Sequence, residues 1–210
     1  MCIRDSVSTG YTETVGTLSL QNNSTIALGT GVHTLTFAAS NAVSWATSTV
    51  LTITGWTGTI NCGAGTVEKI FVGSAATALT AAQLAQIKFT ISGVDYPATL
   101  LSTGQLVPTL KLVVTNPGNQ YDGVPFNITV TATDFNGTAT TLTATTGITL
   151  SSSTHTIGGT ITGSIASGSS AVTITGVTLT PAGPNATITA TASSVLTCLL
   201  SGTSLSLIHI

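Results

Sequence analysis

An all-β fold class is predicted by three observations on the sequence. Thr makes up roughly a fifth of the 210 residues, well above an average share, and Thr and Val are stiff at χ1 and pack well on a pleated surface. Apolar residues recur with period two inside short segments, and turn residues separate those segments. Charged residues are only 5% of the chain, against roughly 25% in an ordinary soluble domain, a composition that suits strands and suits helices poorly.

Along the first half the alternating pairs are Leu18/Leu20, Ile26/Leu28, Leu35/Phe37, Val43/Trp45 and Leu51/Ile53, with "QNNS", "GTG" and "ASN" as turn material between them. Their interval of about eight residues fits either a β-solenoid, in which each strand stacks on the next layer, or a meandering sandwich, with the solenoid favoured. The segment Leu79–Ile87 carries the helical signal of the chain: Thr80 can cap it, and "AAQLAQ" follows. Flanked by the strand-like "KIFVG" and "IKFTI", it is expected to cover an open end of the sheet, as repeat arrays require. "YPATLLSTGQLVPTL" closes this part, and Pro108 marks its boundary.

From Leu110 onward the rhythm changes to "LKLVVT", "VPFNITVTATD", "ATTLTA", "GITLSSS", "GTITGSI", "SAVTITGVTLTP" and "NATITATAS". About seven alternating strands in roughly a hundred residues have the profile of an immunoglobulin-like β-sandwich without a disulfide. The Asn-Gly in "DFNGT" at Asp134–Thr138 is a hairpin signal. The expected fold is therefore the end of a β-solenoid or sandwich with one short capping helix, followed by an immunoglobulin-like sandwich.

The two ends speak a different chemical language. "MCIRDS" holds the only Met, and "LSLIHI" closes the chain. Met1–Asp5 back-translates as ATG TGT ATA AGA GAC with AG from Ser6, and Leu205–Ile210 as CTG TCT CTT ATA CAC AT with one further base. These strings are reverse complements over their shared length and resemble the mosaic-end adapter of transposase-based sequencing libraries. "MCIRDS" also lacks the apolar core of a secretory signal. The expected organisation is residues 1–6 adapter, 7–108 β-repeat region with helical cap, 109–204 immunoglobulin-like domain, and 205–210 adapter. Residues 7–204 are then a window from a longer gene.

Two resemblances cover nearly all of that window. Trp56, the "IFVG" of Ile70–Gly73, "LTAAQLAQI" and "LLSTGQLVP" resemble the segment that closes Ser/Thr/Gly-rich β-repeat regions of bacterial surface proteins, including large proteins exported by the type IX system of Bacteroidota. "GVPFNITVTATD" and "SSAVTITGVTLTPAGPNATITATAS" are similar to immunoglobulin-like repeats of bacterial adhesins. Such modules are carriers and spacers as often as binders, so the resemblances imply architecture and an exported location, extracellular or on the cell surface. Cys198 departs from the small or polar residue expected in that neighbourhood.

The chemistry-bearing residues are scattered. Glu13, Glu68, Asp95, Asp122 and Asp134 share no short motif, and turn positions are expected for most of them, where Asp bonds the local backbone. A carboxylate pair for glycoside cleavage would have to assemble in space. His33 follows "GTG" and His155 lies in "SSSTHT", both read as surface loops, and no G-x-S-x-G elbow presents a serine to either. Cys62 and Cys198 lie in different halves and are expected as free thiols, with no C-x-x-C or H-x-x-x-H spacing for a metal. "CGAG" and "GTG" lack the Lys-Ser/Thr of a phosphate loop. "DFNG" lacks the further carboxylates and closing Glu of a calcium loop. The N-x-S/T triplets at Asn22, Asn23, Asn127, Asn136 and Asn185 follow from Thr-rich composition. Trp45 and Trp56 are assigned to the core rather than to sugar stacking.

A net charge of −2 provides no basic footprint for nucleic acid or an anionic membrane. Mean hydropathy is high, at +0.52, yet the longest apolar run, "VLTCLL" at Val195–Leu200, falls far short of the roughly 18–20 residues of a spanning helix. Aromatics at 5% are too few for the girdles of an outer-membrane barrel. The expectation is a non-catalytic structural or adhesive module, with no catalytic, cofactor-binding or metal residues assigned and no cofactor. Two alternatives are carried: an appendage of an exported enzyme whose catalytic domain lies outside the window, and a module binding carbohydrate or a receptor. Candidate partners are a surface polysaccharide or a host or cell-surface protein. Phe126 is the one aromatic in Val124–Thr133, which counts against a binding row.

Overall fold

A computed structural model describes residues 12–29, 31–60, 64–65, 67–181, 183–193, 199–203 and 207–209. The protein is all-β, with one helical turn among the described residues. It divides into two compact units, Met1–Thr109 and Leu110–Ile210.

In the first unit, β1 (Thr12–Thr17), β2 (Ser24–Ala27), β3 (His33–Ala38), β4 (Leu51–Thr54), β5 (Glu68–Val72), β6 (Ile87–Ile91), β7 (Val94–Leu100) and β8 (Gln105–Pro108) form one eight-stranded sheet. Its order is β1-β3-β5-β8-β7-β6-β4-β2. The odd strands β1, β3 and β5 pair parallel, as do the even strands β2, β4 and β6. The chain therefore lays down one strand of each run per layer. Like residues stack in register: Val15 on Phe37 on Val72, and Ile26 on Ile53 on Phe89. Leu35, Phe37, Ile53, Ile70, Val72 and Phe89 are buried, while the intervening Thr residues remain partly exposed. That is the alternation of the sequence converted into an apolar column.

The connections stack as well. Leu18/Leu20 and Val43/Trp45, expected as strands, are irregular segments instead. The Trp45 indole donates to Leu18 O at 3.0 Å, and the Ala46 amide donates to Leu20 O at 2.8 Å. Their apolar spacing reflects a buried corner (Leu18 and Leu20 are core residues) rather than a sheet. Beneath them lies α1 (Ala81–Leu84), capped as expected by Thr80. The Thr80 hydroxyl accepts from the Gln83 amide, and the Gln83 side chain accepts from the Thr80 amide.

The helix does not close the sheet. It forms the corner of the third layer, where buried Gln83 Nε2 donates to Ser40 O at 2.9 Å and Val43 O at 2.8 Å. Gln86 Nε2 does the same to Ala46 O at 2.7 Å and Thr49 O at 3.0 Å. The cover is supplied by β7 and β8, which pair antiparallel with β6 and β5 and with each other. β8 is buried along its whole length.

The second unit contains β9 (Lys111–Val114), β10 (Phe126–Thr133), β11 (Thr146–Ser151), β12 (Thr156–Gly159), β13 (Thr162–Ile165), β14 (Ala171–Thr180), β15 (Gly183–Ala186), β16 (Thr189–Ala192), β17 (Gly202–Thr203) and β18 (Leu207–His209). Two four-stranded sheets run β12-β14-β10-β9 and β13-β11-β16-β17, and β15 pairs with β18. Every strand pair here is antiparallel. Ile128, Val130, Ile148, Leu150, Ile174, Val177 and Leu179 supply the core.

Between Thr156 and Ile165 the chain leaves one sheet and joins the other. Gly159 sits at that corner with φ +68°, and a Cβ there would lie 2.0 Å from Gly176 O. Only glycine fits. The expected strand "ATTLTA" is absent as a strand: Leu142 is buried, with its amide donating to Ser169 O and its carbonyl accepting from Gly168 N.

Candidate functional site

One group of buried polar side chains around titratable residues lies in the first unit. His33 opens β3 and Glu68 opens β5, and parallel pairing makes the two residues register partners. Both are buried, at 3% exposure each. This corrects the surface-loop expectation for His33 and the turn expectation for Glu68. The signal was present in the sequence as parity. His33 shares the inward phase of Leu35 and Phe37, and Glu68 that of Ile70 and Val72. The preceding "GTG" drew the assignment of His33 towards a loop.

Described residues of the connection from β4 to β5 lie against Glu68. Thr57 Oγ1 donates to Glu68 Oε2 at 2.5 Å. Trp56 is buried, packs edge-on against Phe89 with centroids 5.2 Å apart, and donates from Nε1 to Thr59 O at 3.4 Å. Buried Gln105 on β8 donates from Nε2 to Gly65 O at 3.3 Å. A Cβ on Gly65 would lie 2.5 Å from the Glu68 backbone O and 2.6 Å from the Trp56 ring, so Gly65 is packed between the start of β5 and the indole.

The arrangement is suited to holding a loop. A hydroxyl hydrogen bond offsets part of the desolvation of the buried Glu68 side chain. Cys62 and Cys198, expected as free thiols, lie outside the described residues.

The remaining candidates are dispersed. Asp95 on β7 pairs with Lys88 on β6 at 2.6 Å and accepts from Thr90 Oγ1 at 2.6 Å. It braces the β6–β7 hairpin at a partly exposed surface. Asp134 is buried in the second unit, where its Oδ1 accepts from the Asn136 amide at 2.9 Å and the Thr138 amide at 2.8 Å. The "DFNG" carboxylate thus closes its own turn. His155 stands in the loop before β12 with Nδ1 3.0 Å from Thr154 Oγ1. Glu13 is half-buried on β1, and Asp122 is exposed in a turn. Among the described residues no three His, Cys, Asp or Glu side chains are placed to hold a metal ion, and no helix is long and apolar enough to cross a membrane.

Trp45 is half-buried and Phe126 is buried, so neither forms an exposed aromatic row. The exposed aromatic that sequence reasoning did not single out is Tyr121, at 63% exposure beside Asp122 and exposed Val124. Comparison with protein-family models and with curated proteins finds no match.

Proposed function

We propose that residues 7–204 form a non-catalytic structural or adhesive module of a large secreted or cell-surface bacterial protein. Residues 7–108 would be the closing end of a β-solenoid repeat region, and residues 109–204 an immunoglobulin-like sandwich. The observation that carries this reading is the in-register stacking of β1, β3 and β5 and of β2, β4 and β6, with hydrogen-bonded connections between layers. Layers that contact mainly their neighbours suit an extended array whose role is length and rigidity. The two antiparallel four-stranded sheets of the second unit support the sandwich assignment. Polar side chains of the first unit hold its elements together: Gln83 and Gln86 bond backbone carbonyls, and Thr57 and Lys88 bond the side chains of Glu68 and Asp95.

Residues 1–6 and 205–210 are, in the same reading, translated adapter. Sequencing the encoding gene through both ends with long, unamplified reads tests the whole proposal. Further repeats on one side, with sandwich domains and a sorting domain on the other, are the expected result. A flank encoding a complete catalytic constellation would make the segment an enzyme's appendage. Reads that run through "MCIRDS" and "LSLIHI" as ordinary coding sequence would overturn the adapter assignment.

A second reading, binding of a surface polysaccharide, is favoured by Tyr121 alone, an exposed ring flanked by Gln120 and Asp122. Retention of the protein on insoluble polysaccharides, lost in Tyr121→Ala, would promote it over the spacer role.

A further inference from the structure

The two ends of the first unit's layer stack differ. At one end β7 and β8 cover β5 and β6 by antiparallel pairing. At the other, β1 and β2 are the two terminal strands of the sheet among the described residues. Thr12, Thr14, Thr25 and Ala27 are exposed, and the inward-phased Val15 and Ile26 are only half-buried. An open groove lined by Leu18, Leu20, Ile26, Phe37 and Leu51 continues from this end into the core. Proteins generally cover or charge such edges, because unpaired strand groups template the addition of another strand.

The geometry points to a strand-addition surface whose occupant is one more layer. That occupant is a polypeptide segment of two short strands alternating apolar and hydroxyl residues, paired parallel and in register with β1 and β2. This rests on the reading of residues 7–108 as a repeat region and adds to it the register and chemistry of the partner. Continuity with the existing interfaces fixes that chemistry. β3 already pairs with β1 across Thr34–Thr12, Leu35–Glu13, Thr36–Thr14 and Phe37–Val15. β4 pairs with β2 across Leu51–Ser24, Thr52–Thr25 and Ile53–Ile26. One more step places apolar side chains over Val15 and Ile26, and hydroxyl residues over Thr14 and Thr25.

Glu13 and Ser24 end columns that are apolar in the next layers, at Leu35 and Ile70 and at Leu51 and Ile87. The incoming segment therefore carries a polar or basic residue over Glu13. Charge also argues against a second copy of this chain. Antiparallel pairing of β1 with its own copy about a two-fold axis brings two Glu13 carboxylates onto one edge, which is unfavourable.

The test extends the chain by a copy of its own second layer. A copy of residues 33–54, with Lys in place of the copied Leu35 so that a basic residue lies over Glu13, is placed directly before Val7, with the chain from Val7 onward kept whole, so that residues 7–11 supply a connection as long as residues 28–32. Amide hydrogen exchange is then followed in β1 and β2. The control carries the same extension with Asp in place of the copied Phe37, Leu51 and Ile53. Exchange at least tenfold slower in β1 and β2 with the extension, and unchanged in the control, is expected. Indole fluorescence, to which the copied Trp45 adds a third ring, verifies that the unit remains folded in each variant.

Unchanged exchange in a folded extended protein overturns the proposal. So does a dimer of the unextended chain by light scattering that Ile26→Lys dissociates, since the occupant would then be a second copy. Gene flanks without repeats would sink the repeat-region reading while leaving this measurement interpretable on its own.

Discussion

The two units use one composition in opposite ways. Both are built from Thr alternating with Val, Ile and Leu. In the first unit, neighbours in the odd and even strand runs are parallel and in register, and each layer is laid directly on the one before. In the second, strands far apart in sequence pair antiparallel, as β10 does with β14 and β11 with β16. Parallel pairing puts like on like, so one apolar column and one set of side-chain amides serve successive layers. Antiparallel pairing between distant strands places its demands on corners, where chain and sheet must change direction in little space. Alternation alone therefore specifies a pleated, half-buried surface, while the spacing and chemistry of the connections specify what that surface pairs with.

That contrast can be broken at its strongest point. Phe89→Ala removes a fully buried ring from the Ile26–Ile53–Phe89 column and its edge contact with Trp56. A loss of about 3–5 kcal/mol is expected. Both Trp residues lie in the first unit, so denaturant titration by indole fluorescence reads this loss directly. A loss under about 1 kcal/mol would mean that the column is not a packed core.

Gln83→Ala tests whether connections bind layers together. It leaves two carbonyls, Ser40 O and Val43 O, without the amide that satisfies them, with an expected loss of about 2–3 kcal/mol. Gln83→Glu, which keeps the size but lacks the donor hydrogens, is expected to behave like the alanine variant. If Gln83→Glu matches wild type in the same titration, the amide bonds between layers contribute nothing measurable.

The second unit should be most sensitive at its corner. Gly159→Ala forces a Cβ against Gly176 O at a positive φ, and a loss of about 1–3 kcal/mol is expected. Hydrogen exchange in β12 and β14 should accelerate while the indole signal of the first unit stays unchanged. A silent Gly159→Ala would show that the strand switch is looser than the close approach implies.

The smallest effect is expected on the outer face. Thr129 and Thr173 place their hydroxyls 3.0 Å apart across β10 and β14, and Thr129→Val should change stability by less than about 0.5 kcal/mol. A larger loss would make the Thr surface itself a source of stability and weaken the distinction between core and corner.

Much of the first unit's chemistry was legible and yet misplaced. Leu18, Leu20, Val43 and Trp45 carry a strand's alternation, but their backbone is irregular, because a corner can bury alternate residues without a ladder. Thr80 and Gln83 announced the helix start locally, since a capping box needs only residues three apart. The role of that helix as a layer corner depended on Ser40 and Val43, some forty positions away. His33 and Glu68 illustrate the same limit. Each strand's parity implied burial, but only the register between β3 and β5 made the two residues partners. "ATTLTA" had the right alternation, and Ser169 and Gly168 held it as a loop.

The sequence by itself determined the all-β class, the helix cap and the phase of each apolar run, because these depend on χ1 stiffness, period-two alternation and hydrogen bonds between near neighbours. The tertiary structure decided which strands lie side by side, that Thr57 bonds Glu68, that β7 and β8 rather than the helix cover one end of the stack, and that β1 and β2 are its terminal strands among the described residues. Those outcomes depend on pairing between residues tens of positions apart. One alternating pattern is compatible with many such pairings until packing of the whole layer selects among them.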